Sequence, residues 1–136
     1  MAANARLRAM RNVVRAALPF AAPLALMALI YAVSAMPSDG TDHGPLMLVL
    51  RKLTHFGEYF ALTFLWWLAL RTQIGGRRAL PFAVAIAIGY AVTDEIHQTF
   101  VDGRVGTWRD IVIDSAGALT AAWLIARARQ RRRVAA

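Results

Sequence analysis

Four apolar runs constrain what this chain of 136 residues can become. They fall at about 17–36, 46–70, 79–100 and 111–126. About 20 apolar residues carry a helix across a hydrocarbon layer of about 30 Å. Three of the runs reach that length, and the fourth is shorter. The linkers between them are short, which favours antiparallel helical neighbours. A soluble domain of this size would carry more charge than a chain that is 58% apolar, with a mean hydropathy of +0.44. The predicted fold is all-α: one polytopic membrane domain over 1–136, built as a four-transmembrane-helix bundle, with a basic tail at 127–136.

Charge placement predicts the orientation. Arg6, Arg8, Arg11 and Arg15 precede the first run, Arg71, Arg77 and Arg78 follow the second, and Arg127, Arg129, Arg131, Arg132 and Arg133 follow the last. No acid lies in those segments. Every Asp, Glu and His lies in the others. This alternation is the positive-inside pattern, and it puts both termini in the cytoplasm. The net charge of +8 therefore does not point to nucleic acid, whose binders gather basic residues on one soluble face. The absence of cysteine excludes disulfides, thiolate metal sites and cysteine nucleophiles. No phosphate loop or dinucleotide fingerprint is present.

Along the chain, Pro23 is expected to kink the first span and Pro37 to stop it. A rival reading makes 17–36 a cleaved signal peptide, with Val33-Ser34-Ala35 as the cleavage pattern. The run is long for that role. A polar loop at 38–45 is expected to face outward. In the second span Lys52, His55, Tyr59 and Thr63 share one stripe, with Glu58 beside it. The segment 71–78 reads as a short cytoplasmic turn around Gly75 and Gly76. In the third span Tyr90, Asp94, His97 and Gln98 share a stripe, and Glu95 points about a quarter-turn away. The fourth span puts Asp110, Asp114 and Gly117 on one face. Thr107-x-x-Asp110 has capping-box spacing, and Gly117 is expected to permit close helix packing.

The polar ends of three spans thus meet at the outer face. A charge at a helix centre in a bilayer costs roughly 2.5–3.5 kcal/mol, and groups kept at that cost usually serve a function. His55 is one turn from Glu58, and Asp94 one turn from His97; either pair suits general acid–base chemistry or a structural hydrogen bond. Asp94 is expected to take the interior role, with Lys52 or Arg104 as its counter-charge. Arg104 has the planar fork that grips phosphate, and its alternative is a salt bridge to Asp102, Asp110 or Asp114. His55, Glu58, Asp94 and His97 carry nitrogen and oxygen donors suited to a metal. Their order matches the Glu-x-x-His pattern of carboxylate bundles only loosely, so no metal and no cofactor is expected. Candidate hydroxyls for Ser/His/Asp catalysis lie in no recognisable nucleophile turn.

Two blocks carry a family resemblance. Lys52-Leu53-Thr54-His55-Phe56-Gly57-Glu58-Tyr59 resembles the K-x-x-H-F-x-x-Y block of the VanZ-like family. Asp94-Glu95-Ile96-His97-Gln98, then Phe100, Gly103-Arg104, Asp110 and Gly117 resemble its D-E-x-x-Q-x-F-x-x-G-R…D…G block. Asp102 stands where the family often has proline, and Asp114 where it often has asparagine. The resemblance spans about 52–117 and implies a multi-pass protein of the bacterial plasma membrane. It maps the family's motif onto Lys52, His55, Tyr59, Asp94, Glu95, Gln98, Arg104 and Asp110. The family is named after a protein linked to teicoplanin resistance, and it transfers no settled reaction.

Three functions follow as expectations. In the first, the outward cleft binds the headgroup of a membrane lipid or lipid-linked cell-wall precursor, held by Lys52, Tyr59, Gln98, Arg104, Asp110 and Asp114. In the second, His55 with Asp94 or Glu95 catalyses hydrolysis or transfer on a phospholipid-like substrate. In the third, ion pairs lock four helices, and a partner membrane protein or a second copy carries the function.

Overall fold

The computed structural model describes residues 2–38 and 44–135. Five α-helices account for most of them: α1 (Ala2–Ala17), α2 (Ala21–Ser34), α3 (Gly44–Ile74), α4 (Gly76–Gln98) and α5 (Trp108–Val134). A 3-10 turn, Leu18–Phe20, joins α1 to α2. No strand occurs among the described residues.

Among the described residues, three stretches are long and apolar enough to cross a membrane: Met10–Ser34, Gly76–Gln98 and Trp108–Val134. Helix α3 is longer than any of them at 31 residues, about 46 Å at 1.5 Å per residue. Arg51, Lys52, His55 and Glu58 dilute its apolar character, and it is not among the three.

Several boundaries differ from expectation. The first span is not one helix kinked at Pro23. Pro19 lies in the 3-10 turn, and Pro23 fits the first turn of α2, where its missing N–H costs little. The turn expected at 71–78 shrinks to Gly75, because α3 runs to Ile74 and α4 starts at Gly76. Helix α5 starts three residues earlier than expected and continues through the arginine-rich tail to Val134. The loop at 38–45, expected to face outward, lies mostly outside the described residues.

The bundle is apolar outside and partly polar inside. Leu53 is 61% exposed, Phe82 57% and Trp123 56%, whereas Asp94, Glu95 and Asp114 are buried. That inversion suits lipid as the surrounding solvent. Helix α3 is the hub, packing most extensively on α5 and α4, while α2 lies against α3 and α4. Small residues let the backbones approach. Ala79, Ala83, Ala87 and Ala91 form one fully buried stripe on α4, and Ala118 and Ala121 do the same on α5. A Cβ on Gly117 would collide with the Phe56 carbonyl oxygen, so α3 and α5 touch backbone to backbone there. The packing role expected for Gly117 is therefore observed.

Candidate functional site

This packing brings the polar ends of α2, α3, α4 and α5 together. Lys52 on α3 is ion-paired to Asp110 on α5, both partly buried. One turn deeper, His55 Nδ1 lies 3.2 Å from Asp114 Oδ1. Asp114 has no exposed surface, and its other oxygen, Oδ2, has no hydrogen-bond partner. Helix α4 faces this pair with adjacent acids. The Glu95 carboxylate accepts from the Thr107 backbone N–H at 2.6 Å. His55, Glu95 and Asp114 each present a ligand atom within 4.8 Å of the others.

Asp94 points elsewhere. It accepts from the Ser34 hydroxyl at 2.5 Å and from Gln98 Nε2 at 2.9 Å. Gln98 Nε2 also lies 3.4 Å from Glu95 Oε1, which links the two acids. The chain of contacts runs Ser34, Asp94, Gln98, Glu95, Thr107, Asp110, Lys52. Thr107 caps α5: its hydroxyl accepts from the Asp110 N–H at 3.2 Å and donates to Asp110 Oδ2 at 3.0 Å. Gly106 permits this arrangement, because a Cβ there would strike the Glu95 carbonyl and push the loop off α4.

Some expected partners are corrected. Neither Lys52 nor Arg104 is the counter-charge of Asp94. Lys52 goes to Asp110. Arg104 donates to the backbone carbonyls of Met36 and Val33, at 2.7 and 2.8 Å, and so ties the end of α2 to the α4–α5 loop. Its alternative, a salt bridge to Asp102, Asp110 or Asp114, is not formed either. His55 bonds to Asp114 rather than to Glu58 on its own helix. His97 does not bond to Asp94: its ring stacks on Tyr31 at 4.6 Å, and its buried Nε2 has no partner. Of the donors considered for a metal, only His55 belongs to the group that converges. Glu95, expected to point away, faces His55 more closely than Asp94 does. Tyr59 is fully buried one turn below His55, and its hydroxyl is unpartnered.

Ser34 joins the site as well. Its signal in the sequence is a lone hydroxyl near the C-terminal end of an apolar run, and the side chain is buried in the bundle. Cavities lined by described residues flank these helices. One of about 350 Å³ borders Lys52 and is otherwise lined by Leu48, Val49, Leu53, Phe56 and Ile113. Another, of about 870 Å³, lies toward the arginine-rich end between α3 and α5, with Arg71, Arg129 and Arg132 on its wall.

The sequence profile of the VanZ/LLP1 family matches residues 5–129. The chain belongs to the VanZ/LLP1 family. It is a membrane protein of that family, and the match covers every side chain of the cluster just described. No curated protein and no solved structure matches the chain.

Proposed function

We propose that this VanZ/LLP1 protein is a four-span protein of the bacterial plasma membrane, with both termini cytoplasmic. Its outward polar cluster binds the headgroup of a membrane lipid or lipid-linked cell-wall precursor, and its link to glycopeptide (teicoplanin) response would run through that ligand. Arginines at one end of the bundle and acids at the other support the orientation. The α2 segment supplies Ser34 to the cluster, which favours its retention over cleavage as a signal peptide.

One observation carries the reading. Asp114 Oδ2 and the Tyr59 hydroxyl are buried and unpartnered beside the His55–Asp114 pair. Buried polar atoms are nearly always satisfied, and an orphaned one costs about 1–3 kcal/mol. A cluster that only locked helices together would gain by closing those gaps. Lys52 and Arg104 are occupied within the protein, so the groups left to a ligand are carboxylate oxygens, an imidazole and a phenol. These suit hydroxyl and amine hydrogens, as on a sugar or amine headgroup. The apolar cavity beside Lys52 offers a lipid chain a place next to that headgroup.

A second reading, an intramembrane hydrolase or transferase, is favoured by the 3.2 Å contact of His55 with Asp114 and by Glu95 within reach of both. In it one carboxylate orients the imidazole and the other exchanges a proton with substrate.

Lipid co-purification followed by mass spectrometry tests the binder on wild type, Asp114→Asn and Arg104→Ala. Wild type is expected to enrich one lipid class over the surrounding membrane, and Asp114→Asn to lose that enrichment while keeping its melting temperature within a few degrees. Arg104→Ala, which loosens the α2 end, is expected to reduce it. Identical lipid complements in all three would overturn the proposal.

A further inference from the structure

We propose that His55, Glu95 and Asp114 form a divalent transition-metal site, with zinc as the ion its donors fit first. The inference concerns the same cluster and rests on that cluster being a ligand site. It does not depend on which headgroup binds.

Four features converge. The first is the donor set. One imidazole nitrogen and two carboxylate oxygens, from three different helices, present atoms within 4.8 Å of one another. Three protein ligands with a fourth position open is the arrangement of catalytic zinc sites, and mixed nitrogen and oxygen donors also admit manganese or iron.

The second is spacing. Ligands about 2.0–2.1 Å from one ion in a tetrahedron stand about 3.3–3.4 Å apart. His55 Nδ1 and Asp114 Oδ1 are 3.2 Å apart, a separation coordination would use with little movement.

The third is the orphan atom. Asp114 is wholly buried, yet its Oδ2 has no partner. Burying a carboxylate without satisfying its oxygens is costly. A cation held by this carboxylate at Oδ2 removes the cost.

The fourth is charge. Lys52 is committed to Asp110, and the donors to Asp94 and Glu95 among the described residues are neutral: Ser34, Gln98 and the Thr107 N–H. A neutral imidazole with two carboxylates carries two negative charges, which one divalent cation cancels. The Thr107 N–H and Gln98 would act as outer partners that orient Glu95, as such groups do around other metal sites.

Asp114 is central to this inference, because it supplies both the 3.2 Å contact to His55 and the orphaned oxygen. Asparagine there would offer a weaker, uncharged oxygen. A metal also changes what the site can hold. Bare carboxylates repel phosphate; an ion bridging them, with an open position, attracts it.

The test uses the full chain, untagged, in detergent, stripped by chelator and titrated with Co²⁺, whose visible d–d absorption reads the ligand field directly. Wild type is expected to take up one Co²⁺ per chain, displaced by Zn²⁺. Asp114→Asn and Glu95→Gln are expected to weaken uptake at least ~100-fold, more than the loss typical of an outer partner. His97→Ala, outside the group, is expected to bind as wild type does. Absent or substoichiometric Co²⁺ absorption in wild type overturns the inference, and so does unchanged affinity in both carboxylate variants. Should either variant fail to fold, X-ray absorption on Zn²⁺-loaded wild type decides: imidazole scattering with oxygen neighbours at about 2.0–2.1 Å is expected, and its absence refutes the site. Failure of the headgroup proposal is distinguishable, because lipid enrichment is measured by mass spectrometry on the same preparations with and without metal.

Discussion

At one end of this bundle three acids are buried between helices; at the other most of the arginines are exposed. Asp94, Glu95 and Asp114 are buried between helices, while Arg71, Arg77, Arg78, Arg127, Arg131, Arg132 and Arg133 are exposed. Water and headgroups can satisfy these exposed guanidinium groups. The acids need everything from the protein. Each must find a donor within the protein, so the acidic end requires a defined packing and the basic end requires only a membrane surface. Function is therefore more readily assigned where the packing is constrained, and the sharpest tests compare matched changes at the two ends.

The largest contrast is expected between two glycines. Gly117→Ala places a methyl group against the Phe56 carbonyl, where no rotamer can relieve it. Helices α3 and α5 must separate, at a cost on the order of 3 kcal/mol. Gly76→Ala puts its methyl 3.5 Å from the movable Arg129 guanidinium, an ordinary contact. Its effect should stay within about 0.5 kcal/mol. Unfolding in detergent, followed by circular dichroism, measures both. Equal costs would mean that the close approach at Gly117 carries no weight.

The second contrast concerns ion pairs. Lys52→Met or Asp110→Asn alone strands a partly buried partner and is expected to cost about 2 kcal/mol. The combined Lys52→Met and Asp110→Asn change should cost less than the two single changes summed, with coupling of about 1 kcal/mol or more. Arg132→Gln at the exposed end should change stability by less than about 0.5 kcal/mol. Strict additivity at Lys52 and Asp110 would show that the pair behaves like a surface one.

The same contrast explains what could be read in the sequence. The helical class, the membrane character and the segregation of acids from arginines follow from composition and spacing, which are local properties. Thr107-x-x-Asp110 was legible as a cap because both ends of its hydrogen bond lie within one turn. The role of Gly117 was legible because a glycine on a polar helix face has few other uses. Partners across helices were not. Asp94 and Glu95 are neighbours, so spacing shows that they diverge without showing which one meets His55; the answer depends on the rotation of α4 against α3 and α5. The alanine stripe at 79, 83, 87 and 91 sets that rotation, and it is visible in the sequence as a four-residue repeat. Read together with the acids, it would have turned Glu95 toward the core. Arg104 was misassigned for another reason. Its partners are backbone carbonyls of Val33 and Met36, and a carbonyl leaves no mark in a sequence.

A smaller effect is expected at the start of α5. Thr107→Val keeps the shape of the side chain and removes the hydroxyl that accepts from the Asp110 N–H and donates to its carboxylate. Loss of such a cap costs about 1 kcal/mol. The Thr107 backbone N–H still reaches Glu95, so Co²⁺ affinity should fall less than tenfold. A loss as large as that of Glu95→Gln would mean that the cap, rather than the carboxylate, organises the cluster.

A comparably small single effect is expected for a buried contact at the opposite end, and redundancy is the reason. The Gly76 carbonyl accepts from Arg129 Nη1 at 2.5 Å and from the Trp67 indole N–H at 3.2 Å. Arg129→Ala removes one donor and leaves the other, so stability should fall by only about 0.5 kcal/mol. Trp67→Phe should likewise leave the carbonyl satisfied, its own cost being mainly lost packing. Removing both donors orphans the carbonyl at the junction of α3 and α4, and the double change should exceed the sum of the single ones by about 1 kcal/mol. No such excess would mean that headgroups or water take over the carbonyl freely. The basic end would then be as tolerant as its exposure implies, and the contrast with the acidic end would widen.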